Sequence, residues 1–596
     1  MPMPEKMIAV AIAAWLKDLY DLNVSPAEIN LQKTKKEFEG DLTVNVFPFI
    51  SKTGGHPEKT ASELGEHLSS HLEIIRNFNV IKGFLNLLVE DSVWNEMLKD
   101  IAHQEQFGLA KKNSGKTIMI EFSSPNTNKP LHLGHVRNNL LGWSLAEILK
   151  ACGHKVIRTQ IINDRGIHIC KSMLAWLKWG KGETPESLGI KGDMLVGKYY
   201  VEFEKHYKAD IQKEIAGGAT EEEAAANSML MKEAREMLLK WEAKDPEVFA
   251  IWQKMNGWVY EGFEKTYREL GIDFDKLYYE SDTYLRGKKV VLDALEKGIF
   301  YRKEDGSVWC DLSSKGLDEK LLLRTDGTAV YMTQDIGTAI IRFEDFNLDK
   351  SIYVVGNEQD YHFKILVLIL KKLGFKLAEN CLHLSYGMVD LPGGKMKSRE
   401  GTVVDADDLL EEMTQTAAKA TNDLGKTDDF SPVELDILHK SIGLGALKYF
   451  ILKVEPKKRM LFNPEESIDL NGNTGPFLQY THARIRSLLN KASAMGITSH
   501  SFPSTVALLH QKRETITILV NFPDKIRESG DTLNPAIIAN YLYDLAKSYN
   551  HFYQKVPVLK EKDHLKLHLR LMLSEVTAMV LRSGLRLLGI SAPERM

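Results

Sequence analysis

Residues 117–135 decide the fold of this chain: Thr117-Ile-Met-Ile-Glu-Phe122 is followed by Ser123-Ser-Pro-Asn-Thr-Asn-Lys-Pro-Leu-His-Leu-Gly-His135. The first six residues are mostly apolar, which is typical of a buried strand. The Ser/Pro/Asn-rich turn ends that strand, and helical spacing then runs from about Gly134 to Ala151. A strand, a short turn and a helix in this order predict the first unit of a parallel sheet.

The same alternation continues further along the chain. Further strands are predicted at Lys155–Ile162, Ala329–Met332 and Ser351–Val355. Between them, residues from about 176 to 271 carry charged sequence with helical spacing, and we interpret this stretch as a helical insertion between two halves of the sheet. The predicted fold class is therefore α/β, with a Rossmann-like, doubly wound parallel sheet.

A small α/β region precedes this sheet. Helices are predicted at Met7–Tyr20 and Glu58–Ser70, with β-like runs at Leu42–Val46 and Phe84–Val89. Residues 108–116 are rich in glycine and lysine and are interpreted as a linker.

An all-helical region follows the sheet, because strands are no longer predicted after about Leu424. Five segments have 3.6-residue spacing and predict a helix bundle: Leu435–Lys453, Phe477–Ala494, Ser504–Glu528, Ala536–Lys555 and His564–Leu588. At 596 residues the chain is too long for one core. We predict three domains, at 1–107, 115–425 and 430–596.

Bulk composition limits the environment of the protein. Four cysteines without a C-x-x-C pair support neither a disulfide framework nor a structural zinc site, so we expect a reducing, cytoplasmic location. The apolar stretch Met7–Leu16 is about half the roughly 20 residues that span a bilayer. An amphipathic first helix is favoured over a signal peptide, because Glu5 and Lys6 leave the leading segment without net positive charge.

Charge is distributed unevenly. The net charge is −4, yet residues 471–596 hold 16 Lys/Arg and 9 Asp/Glu. A basic end on an acidic body could steer a polyanion such as RNA to the helix bundle. Chance asymmetry of solvated helix faces remains an alternative explanation.

The turn after the first strand is a candidate nucleotide site. Backbone N–H groups and the positive end of a helix dipole face a ligand bound there. Gly134 allows close approach of the backbone, His132 and His135 can donate hydrogen bonds, and Lys129 adds a positive charge. Ordinary core histidines are an alternative, and a metal pair is a weaker one because no third ligand is in register.

A second candidate is the glycine-rich loop Pro392-Gly-Gly-Lys-Met-Lys-Ser-Arg-Glu-Gly401. Lys395, Lys397, Ser398 and Arg399 are suited to binding a triphosphate as pyrophosphate leaves. Alone, the loop could equally be a hydrated basic surface loop. Its pairing with the histidine turn, some 260 residues earlier, favours the nucleotide interpretation.

Together these two elements resemble class I aminoacyl-tRNA synthetases. His132-Leu-Gly-His135 resembles their HIGH motif, and Lys395-Met-Lys-Ser-Arg399 resembles their KMSKS loop. Ser398 stands where the second KMSKS lysine is expected; arginyl enzymes commonly lack that lysine and place one just before HIGH, where this chain has Lys129. The resemblance implies catalysis by His132, His135, Lys129, Lys395 and Lys397, and ATP binding by Gly134, His132, His135, Lys129, Met396 and Ser398.

Three further stretches resemble the arginyl members of that class: Glu121-Phe-Ser-Ser-Pro-Asn126, Tyr331-Met-Thr-Gln-Asp335 and Gly356-Asn-Glu-Gln-Asp-Tyr-His362. A guanidinium stays protonated, so its pocket needs a carboxylate that accepts paired N–H bonds. The resemblance implies arginine binding by Glu121, Ser124, Asn126, Glu280, Tyr331, Asp335 and Gln359, with Asp335 as the first choice for the guanidinium. Many arginyl enzymes carry Asp-Trp-Gly-x-Gln where this chain has Asp164-Arg-Gly-Ile-His168, so no role is carried over to Arg165 or His168.

Contacts to tRNA are implied at both ends. Phe84 and Asn86 match the stacking and hydrogen-bonding positions of the arginyl enzymes' additional N-terminal domain, which touches the tRNA elbow. Phe477, Tyr480 and Arg484 share one helix face in a stretch that resembles the opening of the anticodon-binding domain, and Met596 matches its C-terminal end. A buried Phe84 and a core Phe477 are the alternatives.

The expected activity is therefore arginine–tRNA ligation: arginyl-adenylate forms from arginine and ATP, and the terminal 2′-hydroxyl of tRNA(Arg) then takes the arginyl group. We expect ATP with Mg²⁺, no resident metal site, no membrane partner and a monomer. Another class I synthetase and a non-catalytic tRNA-binding paralogue are the competing hypotheses.

Overall fold

The computed structural model describes residues 3–35, 37–111, 115–391, 404–423, 430–497 and 502–596. Its N-terminal part is an antiparallel sheet, in the order β1-β2-β4-β3, with helices packed on it. The elements are α1 (Pro4–Tyr20), β1 (Leu31–Lys33), β2 (Leu42–Asn45), α2 (Phe47–Thr53), α3 (Pro57–His71), β3 (Ile75–Ile81), β4 (Phe84–Val89) and α4 (Asp91–Ala102). The small α/β region predicted from the sequence is confirmed.

A five-stranded, fully parallel sheet forms the middle of the molecule, in the order β12-β11-β5-β6-β7. Its strands and the first helix are β5 (Thr117–Glu121), α5 (Leu133–Ala151), β6 (Lys155–Ile162), β7 (Lys276–Tyr279), β11 (Lys350–Gly356) and β12 (Cys381–Tyr386). The strand order reverses between β5 and β11, which creates a crevice at the carboxyl ends of these two strands. Helix α5 lies directly on β5 because residue 142 is glycine; a Cβ there would come within 2.3 Å of the Phe122 ring.

The helical insertion is also confirmed. It lies between β6 and β7 and consists of α6 (Ile167–Trp179), α7 (Pro185–Leu188), α8 (Gly192–Ala216), α9 (Glu221–Asn227), α10 (Met229–Glu242) and α11 (Pro246–Leu270).

Between β7 and β11 the structure adds elements that the sequence did not predict. They are α12 (Glu280–Glu296), a three-stranded antiparallel sheet of β8 (Tyr301–Arg302), β9 (Val308–Cys310) and β10 (Lys320–Leu323), and α13 (Tyr331–Asp345). The strand predicted at Ala329–Met332 is wrong, because Tyr331 begins α13. Met332, Ile336 and Ala339 are buried at helical spacing, and four apolar residues are too few to distinguish a strand from a helix start.

The C-terminal part is mainly helical, as predicted, and its helices pack on α4 and α5. After β11 come α14 (Asp360–Lys372), β13 (Val389–Asp390), α15 (Ala406–Asp423), α16 (Pro432–Leu452), β14 (Met460–Leu461), α17 (Pro464–Ser467), α18 (Gly475–Ala494), α19 (His510–Val520), α20 (Phe522–Thr532), α21 (Ala536–Lys555) and α22 (His564–Leu587).

Two details of this part differ from the prediction. The single helix predicted at Ser504–Glu528 is two helices, α19 and α20, separated at Asn521, because Pro523 occupies a first-turn position where its missing N–H costs nothing. Strands do not end at Leu424, since the short β14 pairs with β13. Within the described ranges, no helix is long and apolar enough to cross a membrane.

Candidate functional site

The N-terminus of α5 opens into the crevice between β5 and β11. His132 caps the helix: its Nδ1 accepts the backbone N–H of Gly134 at 3.1 Å. The backbone N–H of His132 in turn donates to Nδ1 of His135 at 3.2 Å. A Cβ at position 134 would lie 3.0 Å from the His132 ring, so glycine keeps the turn this tight.

These two contacts set the protonation of both rings. Each Nδ1 is an acceptor, so the proton of each neutral imidazole resides on Nε2. Burial, followed by the charge of Lys129, lowers the pKa of His132 to about 4. Burial, His132 and Lys129 hold the pKa of His135 well below its usual value. Both rings are therefore neutral N–H donors at physiological pH.

Lys129 lies on the turn just before the helix and is exposed, although partial desolvation by its surroundings lowers its pKa. The segment beyond residue 403 pairs with the same turn. Leu133 donates its N–H to the carbonyl of Val404 at 3.0 Å, and Ala406 donates to the carbonyl of Leu131 at 2.9 Å.

The residues just before the glycine-rich loop are fixed to α5 as well. Buried Arg137 donates to the carbonyls of Met388, Pro456 and Lys458. Lys395, Met396, Lys397 and Ser398 themselves lie outside the described residues. The described chain on both sides of that loop is thus attached to the helix that carries His132 and His135.

A second cavity, of about 790 Å³, lies beside the carboxyl ends of β5 and β6. Three predicted arginine-binding residues line it: Asn126, Glu280 and Tyr331. Glu280 is 6% exposed, and burial raises its pKa to about 7, while Arg165 counteracts that rise. Tyr331 is 71% exposed at the mouth of the cavity.

Asp335 lies one residue beyond the lining residue Gln334 on α13, and its charge acts on Glu280. It forms a 2.5 Å contact with Nε2 of His362 on α14, which raises the pKa of that histidine. Gln359 lies exposed in the turn after β11. Glu280 on α12 therefore presents a buried carboxylate to the cavity, as a guanidinium requires, whereas the Asp335 carboxylate on α13 is engaged by His362.

Glu121 is placed differently from the others. It is buried at the end of β5, where one carboxylate oxygen pairs with Arg342 and the other accepts the Ser124 hydroxyl at 3.1 Å. Because both oxygens are engaged, Glu121 in this conformation supports Ser124 and is not open to a substrate.

The sequence did not identify several residues of this cavity. Arg165, His168 and Lys288 line it together with Arg324, and Gln334 hydrogen-bonds the Glu280 carboxylate. Arg165 and His168 belong to a segment that was noticed only as a departure from the family pattern. No local signal marks Lys288 or Arg324, which reach the cavity through tertiary packing.

In the N-terminal part, the two predicted tRNA contacts differ in accessibility. Phe84 is exposed and lies edge-on to Phe47, with ring centroids 5.5 Å apart. Asn86 is 1% exposed; its amide oxygen accepts from Thr43 and its amide nitrogen donates to Asn79. The exposed aromatic pair, and not Asn86, is open to a ligand in this structure.

In the C-terminal part, Tyr480, Arg484 and Met596 line one cavity of about 620 Å³ together with Lys491, Tyr553, Lys560 and Arg595. The Arg484 guanidinium lies 4.7 Å from the Tyr480 ring centroid and 5.7 Å from that of Tyr553. Phe477 lies outside this cavity and packs against Tyr543. Two of the three residues on the predicted helix face, Tyr480 and Arg484, therefore line one cavity, which Met596 of the C-terminal end also lines.

Comparison with known proteins gives a consistent result over the whole chain. Three family models match: "tRNA synthetases class I (R), catalytic domain" at residues 96–463, "DALR anticodon binding domain" at 478–596 and "Arginyl tRNA synthetase N terminal domain" at 6–89. A protein of Bacteroides thetaiotaomicron named arginine–tRNA ligase is 56% identical over 598 residues and covers 100% of both chains.

Solved structures agree in fold. The arginyl-tRNA synthetase of Thermus thermophilus superposes with a TM-score of 0.76 at 24% identity, covering 100% of both chains. That of Plasmodium falciparum superposes with a TM-score of 0.74 at 20% identity, covering 99% of both. With a relative that is 56% identical over its full length and a class I catalytic-domain model that matches residues 96–463, the chain belongs to the arginyl-tRNA synthetase family of class I aminoacyl-tRNA synthetases.

Proposed function

We propose that this protein is an arginine–tRNA ligase, which activates L-arginine with ATP and transfers the arginyl group to the terminal 2′-hydroxyl of tRNA(Arg). The observation that carries the proposal is the buried Glu280 carboxylate, which lines a cavity together with Asn126 and Tyr331 beside the carboxyl ends of β5 and β6. Membership of the arginyl family supports the same assignment.

In the activation step, the arginine carboxylate attacks the α-phosphate of ATP and pyrophosphate leaves. The Nε2–H groups of His132 and His135 stabilise the charge that develops on the phosphate oxygens, while Gly134 lets the backbone approach the nucleotide. Lys129 supplies a positive charge from the other side of the turn. Catalysis here is positioning and charge stabilisation, because no protein nucleophile takes part.

The remaining phosphate contacts come from the loop that follows β13. We assign Lys395, Lys397, Met396 and Ser398 to ATP binding and pyrophosphate release on their motif alone. We propose that Mg²⁺ enters with the triphosphate of ATP.

For the amino acid, Glu280 and Asp335 accept the N–H groups of the guanidinium, and Tyr331 covers them at the cavity mouth. Asn126 and Gln359 hold the α-amino and carboxylate groups, with Ser124 beside them and Glu121 supporting Ser124. An uncharged amino acid would leave the buried Glu280 carboxylate without the guanidinium that it is proposed to bind, which costs on the order of several kcal/mol.

For the tRNA, Phe84 stacks on an unpaired base of the elbow, and the cavity of Tyr480, Arg484 and Met596 receives the anticodon loop. Asn86 and Phe477 support these contacts from within the sheet and the bundle. We further propose that the protein acts as a cytoplasmic monomer with domains at 1–107, 115–425 and 430–596.

Arginine-dependent exchange of pyrophosphate into ATP, measured with and without tRNA(Arg), tests the function. We expect exchange that needs both arginine and tRNA, and arginylation of the tRNA in the full reaction. No exchange in the presence of cognate tRNA would refute the enzyme assignment. Exchange with another amino acid in place of arginine would refute the specificity.

A further inference from the structure

The turn Asp164-Arg165-Gly166, which follows β6, lies beside the first residues of α12. Asp164 is buried, and its carboxylate accepts hydrogen bonds from residues of α11 and α12. Its Oδ1 accepts the backbone N–H of Ser281 at 2.9 Å, and its Oδ2 accepts the hydroxyls of Ser281 at 2.7 Å and Tyr260 at 2.9 Å. Since Ser281 follows Glu280, Asp164 fixes the backbone that carries the Glu280 carboxylate.

Arg165 continues this support with a charge. Its side chain is 9% exposed, and its guanidinium carbon lies 4.1 Å from the ring centroid of Tyr284 and 5.6 Å from that of Trp241. Nη2 donates to Oε1 of Glu242 on α10 at 2.9 Å. Nη1 lies 3.9 Å from Oε1 of Glu280. One arginine therefore joins the helical insertion to the cavity.

The two distances differ in consequence. At 2.9 Å the contact with Glu242 is a hydrogen bond, which anchors the guanidinium. At 3.9 Å the contact with Glu280 is electrostatic only, so Arg165 attracts the carboxylate without occupying its acceptor positions. Apart from the acceptor position that Gln334 takes, the Glu280 oxygens stay open to the guanidinium of a substrate.

We propose that Arg165 is a positioning residue of the arginine pocket, which attracts the Glu280 carboxylate at the cavity wall and is itself held by Glu242 of the helical insertion. The inference rests on the proposed function of Glu280 as an arginine-binding residue.

The charges around Glu280 show why a cation is needed. Burial raises its pKa to about 7, and Asp164 and Asp335 raise it further, whereas Arg165 is the largest influence that lowers it. The other charged or titratable groups facing the cavity or its carboxylates are Arg235, Glu242, Lys288, Arg324, Asp326, His168 and His362. Without Arg165, Glu280 would hold a proton at neutral pH and would not pair with a guanidinium.

The experiment measures KM and kcat for arginine in tRNA arginylation between pH 6 and 8.5, with ATP and tRNA saturating. In the wild type, kcat/KM for arginine should rise with pH through a midpoint near 7. R165Q should move that midpoint upward and raise KM for arginine roughly three- to tenfold at pH 7.5, since one pKa unit is a tenfold change in ionisation equilibrium. The defect should shrink at pH 8.5, kcat should change little, and R165K should restore most of the midpoint.

Two further variants separate this role from a structural one. Among the described residues, E242Q leaves Glu280 as the remaining carboxylate at ion-pair distance from Arg165. The pH midpoint of kcat/KM for arginine should therefore move downward. This variant also tests the proposal if R165Q does not fold. K171Q is the matched control. Lys171 on α6 is also buried, pairs with Glu204 at 2.7 Å and lies 5.3 Å from the Phe203 ring centroid, but it does not line the cavity. K171Q should leave the midpoint where the wild type has it.

The outcomes separate this inference from the proposed function. A wild-type protein that does not arginylate tRNA would refute the proposed function. If the wild type does arginylate tRNA, the role of Arg165 would be overturned by either of two results. The pH profiles of R165Q and E242Q would match that of the wild type, or both midpoints would move in the same direction. An equal shift of the pH midpoint in K171Q would also overturn the proposal, because it would show that any loss of a buried charge in the helical insertion has this effect.

Discussion

The protonation of His132 and His135 decides how they act in adenylate formation. Because both Nδ1 atoms accept backbone N–H groups, both rings carry their proton on Nε2, and the proposed mechanism uses these N–H groups as donors to the nucleotide. Replacing His135 by Asn removes a donor that is best used in the transition state, so we expect kcat of pyrophosphate exchange to fall about 10²- to 10³-fold with a small change in KM for ATP. A rise in KM alone would contradict a transition-state role. His206→Asn, on the surface of the insertion, is the control.

At the same scale, D335N should raise KM for arginine and strongly reduce pyrophosphate exchange, because an amide carries no charge for the guanidinium.

The pH dependence of KM for arginine follows from two raised pKa values. Glu280 is raised to about 7, so its carboxylate is lost as pH falls through that value. His362 is raised by Asp335, so it becomes charged in the same direction and competes for that carboxylate. Arginine KM should therefore increase as pH falls below 7; KM values that stay constant from pH 8 to 6 would exclude Glu280 and Asp335 as the guanidinium partners.

Among the elements, helices α12 and α13 bring Glu280 and Asp335 together, and two glycines allow it. A Cβ on Gly287 would lie 1.9 Å from the carbonyl oxygen of Thr333, and one on Gly337 would lie 2.4 Å from the backbone nitrogen of Gly287. G287A should therefore separate the helices, cost about 1–3 kcal/mol of stability through overpacking and raise KM for arginine. G257A is the control: nothing lies within 4 Å of a Cβ there, and alanine in a helix should be neutral or stabilising. Thermal melting and arginine kinetics on both variants check this, and a normal KM in a folded G287A would show that the helix spacing does not set the pocket.

The same elements show where sequence reasoning works. Strand β6 was predicted with its observed ends and α5 to within one residue, because apolar periodicity and the Ser/Pro/Asn turn are local signals. The start of α13 was misread, since Tyr331 and Met332 begin a helix with an apolar pair that fits either structure. Strands β8 to β10 are two to four residues long and are held by cross-strand pairing, which leaves little local pattern. The pairing of Glu121 with Arg342 joins residues 221 positions apart, and no spacing rule could give it.

At the scale of the whole molecule, the N-terminal part docks on the C-terminal helices through a cluster of charges. Arg513 on α19 pairs with Asp91, and its Nη1 lies 3.6 Å from Oδ1 of Asp41. The side chain of Asn95 donates to the carbonyls of Ser504 and Val506 at 2.6 and 2.8 Å. Under the proposed tRNA contacts, this docking would let one tRNA be bound by Phe84 at its elbow and by the cavity of Arg484 at its anticodon loop.

R513Q tests that arrangement. The substitution leaves the carboxylates of Asp91 and Asp41, which are 12% and 10% exposed, without their main cation. Breaking such a buried ion pair costs about 3–5 kcal/mol of stability. We expect a higher KM for tRNA with little change in KM for arginine or ATP at saturating tRNA, and faster proteolysis between residues 108 and 116. Burial raises the pKa of Asp41, and the charge of Arg513 lowers it. In R513Q, Asp41 should therefore take up a proton when the N-terminal part docks on the C-terminal helices, so the docking should become more stable as pH falls. R527Q, which removes an exposed pair within α20, should do none of this. If R513Q binds tRNA like the wild type at every pH, the two tRNA contacts act independently and the docking is not what couples them.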